Sequence, residues 1–157
     1  MSWRDAGRER LLFLADVVML EAQYLAQTDR RLFARALAVE DIESLALDAD
    51  LAERVDAFVA RFGRLQDTLA GALLPRLLES LLEPQGSVLD NLNRAERRGW
   101  IRSSADWAEL RMLRNHMVHE YVRDRQQLVD APNAAYLGVE DLVNATALMA
   151  AQARVEV

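Results

Sequence analysis

Apolar residues recur three and four positions apart along most of the chain. Leu11, Leu14, Val18, Ala22 and Leu25 form the first such stripe, the spacing that gathers side chains on one face of a helix. It predicts a helix from about Trp3 to Gln27. Thr28 and Asp29 read as a break and cap, followed by a short helix from about Arg30 to Ala38. Residues 39–50 are acidic and read as a loop or a short turn. A long helix is expected from near Asp50, because Val55, Phe58, Phe62, Leu65, Leu69 and Ala72 approach the period of a coiled-coil seam. Pro75 is expected to kink or end it, since its ring removes an amide donor and clashes with the preceding turn. "EPQG" at 83–86 closes that segment.

Beyond the turn, Ser87 or the next residue opens a helix to about Arg98, with Gly99 as its stop. "SSADW" at 103–107 offers serine caps followed by Asp106, whose charge suits a helix start. That helix is expected to reach about Leu128. "DAPN" at 130–133 reads as a loop, and a last helix spans roughly Val139 to Ala153. Val, Ile and Thr are sparse and never alternate with polar residues for long, so no strand is predicted. Repeats, low-complexity tracts and domain-sized linkers are missing from the sequence. The expectation is an all-α, single-domain helical bundle of about five helices over residues 1–157.

Composition narrows the class. With 157 residues, 52% hydrophobic and 28% charged, the chain can bury a core and is not of disordered type. Cysteine is absent, which excludes disulfides and thiolate metal sites. The first apolar run is broken by Asp16 and no small-residue cleavage site follows, so it does not read as a secretory signal. No run approaches the ~18 apolar residues of a membrane span. These features lead to the expectation of a soluble, cytoplasmic protein with no membrane partner.

The net charge of −6 argues against general nucleic-acid adhesion, but the charge is unevenly distributed. Residues 94–125 hold eight arginines against five acids, whereas residues 40–56 hold seven acids and one arginine, Arg54. All 19 basic side chains are arginine, a planar fork suited to carboxylate or phosphate.

The basic segment contains "RNHMVH" at 114–119, with both histidines of the chain and Tyr121 just beyond. On a helical projection, Trp107, Leu110, Leu113, Met117, Val118 and Tyr121 share one broad apolar face, and Arg114 falls in its middle. An unpartnered charge there is costly, so Arg114 needs either an ion pair or a functional reason. His119 lies about 140° round the helix from Arg114, at ~100° per residue, beside Asn115, Met112 and Val122. His116 points to the most polar side and reads as a bystander. Tyr121 is most simply a core tyrosine whose hydroxyl reaches an edge. Two histidines three apart have no third ligand of matching spacing, so no metal is expected. There is no Gly-rich phosphate loop, no G-x-S-x-G and no E-x-x-H bundle pattern. No cofactor is expected either.

The R-x4-H-x-Y pattern of Arg114, His119 and Tyr121, with Asn115 after the arginine, resembles the HEPN superfamily. Within it, the chain looks like HepT-type toxins that pair with MNT-type nucleotidyltransferase antitoxins. The similarity also takes in "RFGRLQDTL" at 61–69 and "WAELRMLRNHMVHEY" at 107–121. This resemblance implies a metal-independent endoribonuclease, acting as a toxin, with its active site in a homodimer cleft. Arg114 and His119 would be the catalytic pair, Asn115 a supporting polar residue, and Tyr121 a tyrosine that the antitoxin modifies with AMP. RNA as substrate suits the residues. RNA brings its own 2′-hydroxyl nucleophile, histidine moves protons near neutrality, and arginine stabilises phosphate charge. The alternative is a non-catalytic module, or an antitoxin, that partners a nucleotidyltransferase through the same cleft. A purely structural bundle leaves Arg114 on the apolar face unexplained.

Overall fold

The computed structural model describes residues 2–119 and 125–156, and within them every side chain except those of His116, Val118, His119 and Gln127. Among these residues the chain is an all-α bundle with no strand. Its helices are α1 (Trp3–Leu32), α2 (Val39–Glu43), α3 (Ala49–Thr68), α4 (Leu74–Ser80), α5 (Val88–Arg97), α6 (Ser104–His119) and α7 (Arg125–Val155). A π-helical turn, Leu69–Leu73, joins α3 to α4 without interruption. Five long helices result, counting α3 through α4 as one, with α2 as a short extra turn.

The apolar stripes become the core. Leu11, Leu14, Val18, Ala22 and Leu25 are buried along α1. Phe58, Phe62 and Leu65 are fully enclosed along α3, Leu69 at the start of the π-turn, and Leu142, Met149 and Ala153 along α7. An aromatic group ties three elements together. The Phe33 ring meets Phe58 edge-on at 5.0 Å and stacks on Tyr136 at 4.7 Å.

Polar side chains set the helix starts. The Ser2 and Ser87 hydroxyls accept from the Asp5 and Asp90 amides, and each aspartate reaches back to its serine's amide. Hydrogen bonds from the serine side chain, and secondly from the serine amide, hold the Asp5 and Asp90 carboxyls below their ordinary range. Asp48 caps α3 by accepting from the Leu51 amide, and Ser103 caps α6 by accepting from the Asp106 amide. Gly99 stops α5 in the left-handed region, at φ 76°.

Three sequence expectations are corrected. The break at Thr28 and Asp29 does not exist, because α1 runs on to Leu32 and the short helix over 30–38 does not form. Thr28 is buried, and its hydroxyl accepts a 2.5 Å hydrogen bond from Arg61 of α3, so it serves helix packing rather than capping. Pro75 does not end its helix. The π-turn lies directly before it, widening the backbone where the ring would meet the preceding carbonyl. The expected run of the α6 helix to about Leu128 crosses residues 120–124, which lie outside the described residues; α6 is described up to His119 and α7 from Arg125. "DAPN" is not a loop but part of α7, which therefore begins well before Val139. Asn133 explains why that stretch is held. Its Oδ1 accepts from the Leu37 amide and its Nδ2 donates to the Leu37 carbonyl, both at 2.9 Å.

Two glycines seat α6 against its neighbours. A Cβ on Gly138 of α7 would collide with Leu110, and one on Gly63 of α3 would collide with Arg114. No helix of the described residues is long and apolar enough to cross a membrane.

Candidate functional site

The buried face of α6 carries Trp107, Leu110 and Met117, with Leu113 partly buried against the core. Arg114 lies on this face, as its position in the sequence requires. Its side chain retains 31% exposure, and its guanidinium donates from Nη1 to Asp67 Oδ1 of α3 at 2.7 Å. The side-chain stem crosses α3 over Gly63. A Cβ built on Gly63 would sit 2.8 Å from Arg114 Nε and 3.3 Å from its Cγ, inside ordinary van der Waals contact. The conflict between charge and apolar surface is thus resolved by an acid on one side and a missing side chain on the other. A glycine in a helix interior costs about 1 kcal/mol against alanine, and Gly63 is placed where that cost makes room for the arginine.

The contact joins the two stretches that carried the sequence resemblance. Gly63 and Asp67 belong to "RFGRLQDTL", and Arg114 belongs to "WAELRMLRNHMVHEY". The Asp67–Arg114 pairing was not specified from the sequence, although a cation on an apolar helix face signalled that some partner was needed.

A polar string continues from Asp67 along α3. Thr68 donates to Glu21 Oε1 of α1 at 3.1 Å, and the second oxygen of Glu21 is buried without a partner among the described residues. Burial pushes the Glu21 carboxyl above its ordinary range. The Thr68 hydrogen bond and the nearby Arg64 oppose that shift, and Asp67 adds to it.

Beside Arg114 opens a groove of about 810 Å3 between the α2–α3 side and the α6–α7 side. Val55, Val59, Ala60, Met117 and Leu128 supply apolar lining, and Arg64, Arg114, Arg125, Glu43 and Asp56 supply charged lining. Arg125 donates to Glu43 at 3.2 Å. The acidic 40–56 segment and the basic motif segment, distant in sequence, therefore meet at this groove.

The remaining predicted site residues divide. Asn115 is exposed, one helical step from Arg114. The backbone of His119 is the last described one of α6, while its side chain lies outside the described ones, as does that of His116. Tyr121 lies outside the described residues altogether. Among the described residues, no group of three metal-ligating side chains is brought together.

No family model matches the chain, and no curated protein or solved structure matches it.

Proposed function

We propose that the chain is a HEPN-type, metal-independent endoribonuclease of HepT character, working as a homodimer. The observation that supports this reading most is the placement of Arg114, a partly exposed side chain held by Asp67 over Gly63 beside an open groove. Arginine in this setting can hold a phosphate and stabilise the negative charge that develops on it during 2′-hydroxyl attack. His119 would take or give the proton. The two lie about 140° apart round α6, so a single chain does not stack them on one face; a symmetry-related copy would bring a second set close. Asn115 would orient a phosphate oxygen or the histidine. In this reading the cytoplasm is the working compartment, an MNT-type nucleotidyltransferase is the antitoxin, and Tyr121 is its target. A nucleotide on that tyrosine would add bulk and negative charge at the cleft.

Cleavage of single-stranded RNA by purified wild-type chain, Arg114→Ala and His119→Ala tests the proposal. A loss of at least ~100-fold in each variant is expected, since proton transfer alone typically contributes 10²–10⁴-fold. Arg114→Ala should remain folded, because exposed ion pairs contribute only about 0–1 kcal/mol. Equal activity in all three proteins would overturn the reading.

A second reading has its own support. The apolar lining of the groove suits a protein partner, which favours a non-catalytic module that binds a nucleotidyltransferase. It predicts a stable complex that survives His119→Ala, with no RNA cleavage by any form.

A further inference from the structure

We infer that Gly63 and Asp67 are positioning residues for Arg114, together fixing the direction in which its guanidinium presents itself. The inference rests on the proposed ribonuclease reading for its consequence in activity, but its geometric content stands apart from that reading. Asp67 takes one nitrogen end-on, through Nη1 at 2.7 Å. Nε lies against the Gly63 backbone, where a Cβ would stand only 2.8 Å away. Two of the three guanidinium nitrogens are thereby oriented by α3, and Nη2 has no recorded partner among the described residues. A guanidinium carries five N–H donors in a rigid fork, so fixing one edge sets the aim of the other. The π-turn that continues α3 supplies a contrast. A Cβ on Gly71 would meet nothing within 4 Å, so the crowding at Gly63 is specific to the arginine's path.

The chemistry separates positioning from plain charge compensation. Asparagine at 67 keeps an oxygen that accepts from Nη1 while removing the charge. Alanine at 67 removes both. Alanine at 63 leaves Asp67 untouched and improves the helix propensity of α3, yet its methyl forces the flexible arginine off its path. Gly63→Ala thus moves Arg114 with little threat to the fold.

The experiment compares Gly63→Ala, Asp67→Ala and Asp67→Asn with wild type in two readouts. The first is the rate at which phenylglyoxal modifies Arg114, followed by peptide mass spectrometry against Arg102, whose side chain is 79% exposed. The second is kcat and KM for single-stranded RNA, with thermal melting as the fold control. Gly63→Ala and Asp67→Ala should raise Arg114 modification at least threefold and lower kcat about tenfold, with Tm unchanged or higher for Gly63→Ala. Asp67→Asn should restore the slow modification rate and most of the kcat lost in Asp67→Ala. A wild-type chain that cleaves no RNA would count against the ribonuclease reading alone, and the modification rates then decide the positioning. Rates indistinguishable from wild type in both alanine variants would overturn it. An Asp67→Asn variant as reactive as Asp67→Ala would also do so, by showing that only the charge matters.

Discussion

On α3, Phe58, Phe62 and Leu65 point inward with no exposed surface, while Gly63 and Asp67, close to them in sequence, meet Arg114 of α6. The first set is held by removal of apolar area from water, which is non-directional and tolerates small adjustments. The second set depends on one hydrogen-bonded ion pair and one missing methyl group, both sensitive to tenths of an ångström. A single helix thus supplies apolar residues to the core from one set of positions and, from the neighbouring set, the acid and the gap that position the cation of α6. The comparison explains why a residue as unfavourable to a helix as glycine stands in the middle of the best-packed segment.

Substitutions on the two faces should therefore separate stability from activity. The largest expected effect is that of Phe62→Ala. It empties a fully enclosed site packed against Phe58 at 5.7 Å, and such truncations cost about 3–5 kcal/mol. Denaturant unfolding measures this, and a cost below ~1 kcal/mol would break the assignment of α3 as the core helix. A smaller effect of opposite sign is expected at Gln66, which is 1% exposed with neither amide atom partnered among the described residues. Gln66→Met keeps the length of the side chain and removes its polar atoms, so stability should rise by about 1–2 kcal/mol. A loss there would show that Gln66 has a partner inside the bundle.

The smallest effect concerns Glu21, at the far end of the polar string. Burial holds its carboxyl above the ordinary value of 4.5. Just above pH 4.5 the folded chain then binds more protons than the unfolded one, so the stability tied to this group is lost as pH rises through the folded pKa. Glu21→Gln removes that loss. The variant should melt higher than wild type at pH 7, with the difference vanishing below pH 4.5. A difference independent of pH would assign the effect to packing instead.

The two faces also differ in how well they can be read from sequence. The apolar stripe of α3 is a local periodicity, and so are the serine caps of α5 and α6 and the Gly99 stop. Each needs only neighbours within a turn or two. Thr28 and Asn133 were misread for the opposite reason. In isolation a threonine–aspartate pair looks like a break and "DAPN" looks like a loop. Thr28 is instead satisfied by Arg61, 33 positions away, and Asn133 by Leu37, 96 positions away. Pro75 does not end its helix as the sequence allows, because its compensation is a π-turn, which leaves no residue signature of its own. At the candidate site, the need of Arg114 for a partner was legible from its place on an apolar face, but the choice of Asp67 depends on how α6 crosses α3.

The proposed chemistry uses a nucleophile carried by the substrate, and this allows a direct test. Purified chain, in the presence of a metal chelator, is given a single-stranded RNA and the same sequence with every 2′-hydroxyl replaced by hydrogen. Cleavage of the RNA alone, abolished by Arg114→Ala, is the predicted result. Equal cutting of both strands, or RNA cleavage undiminished in Arg114→Ala, would contradict it.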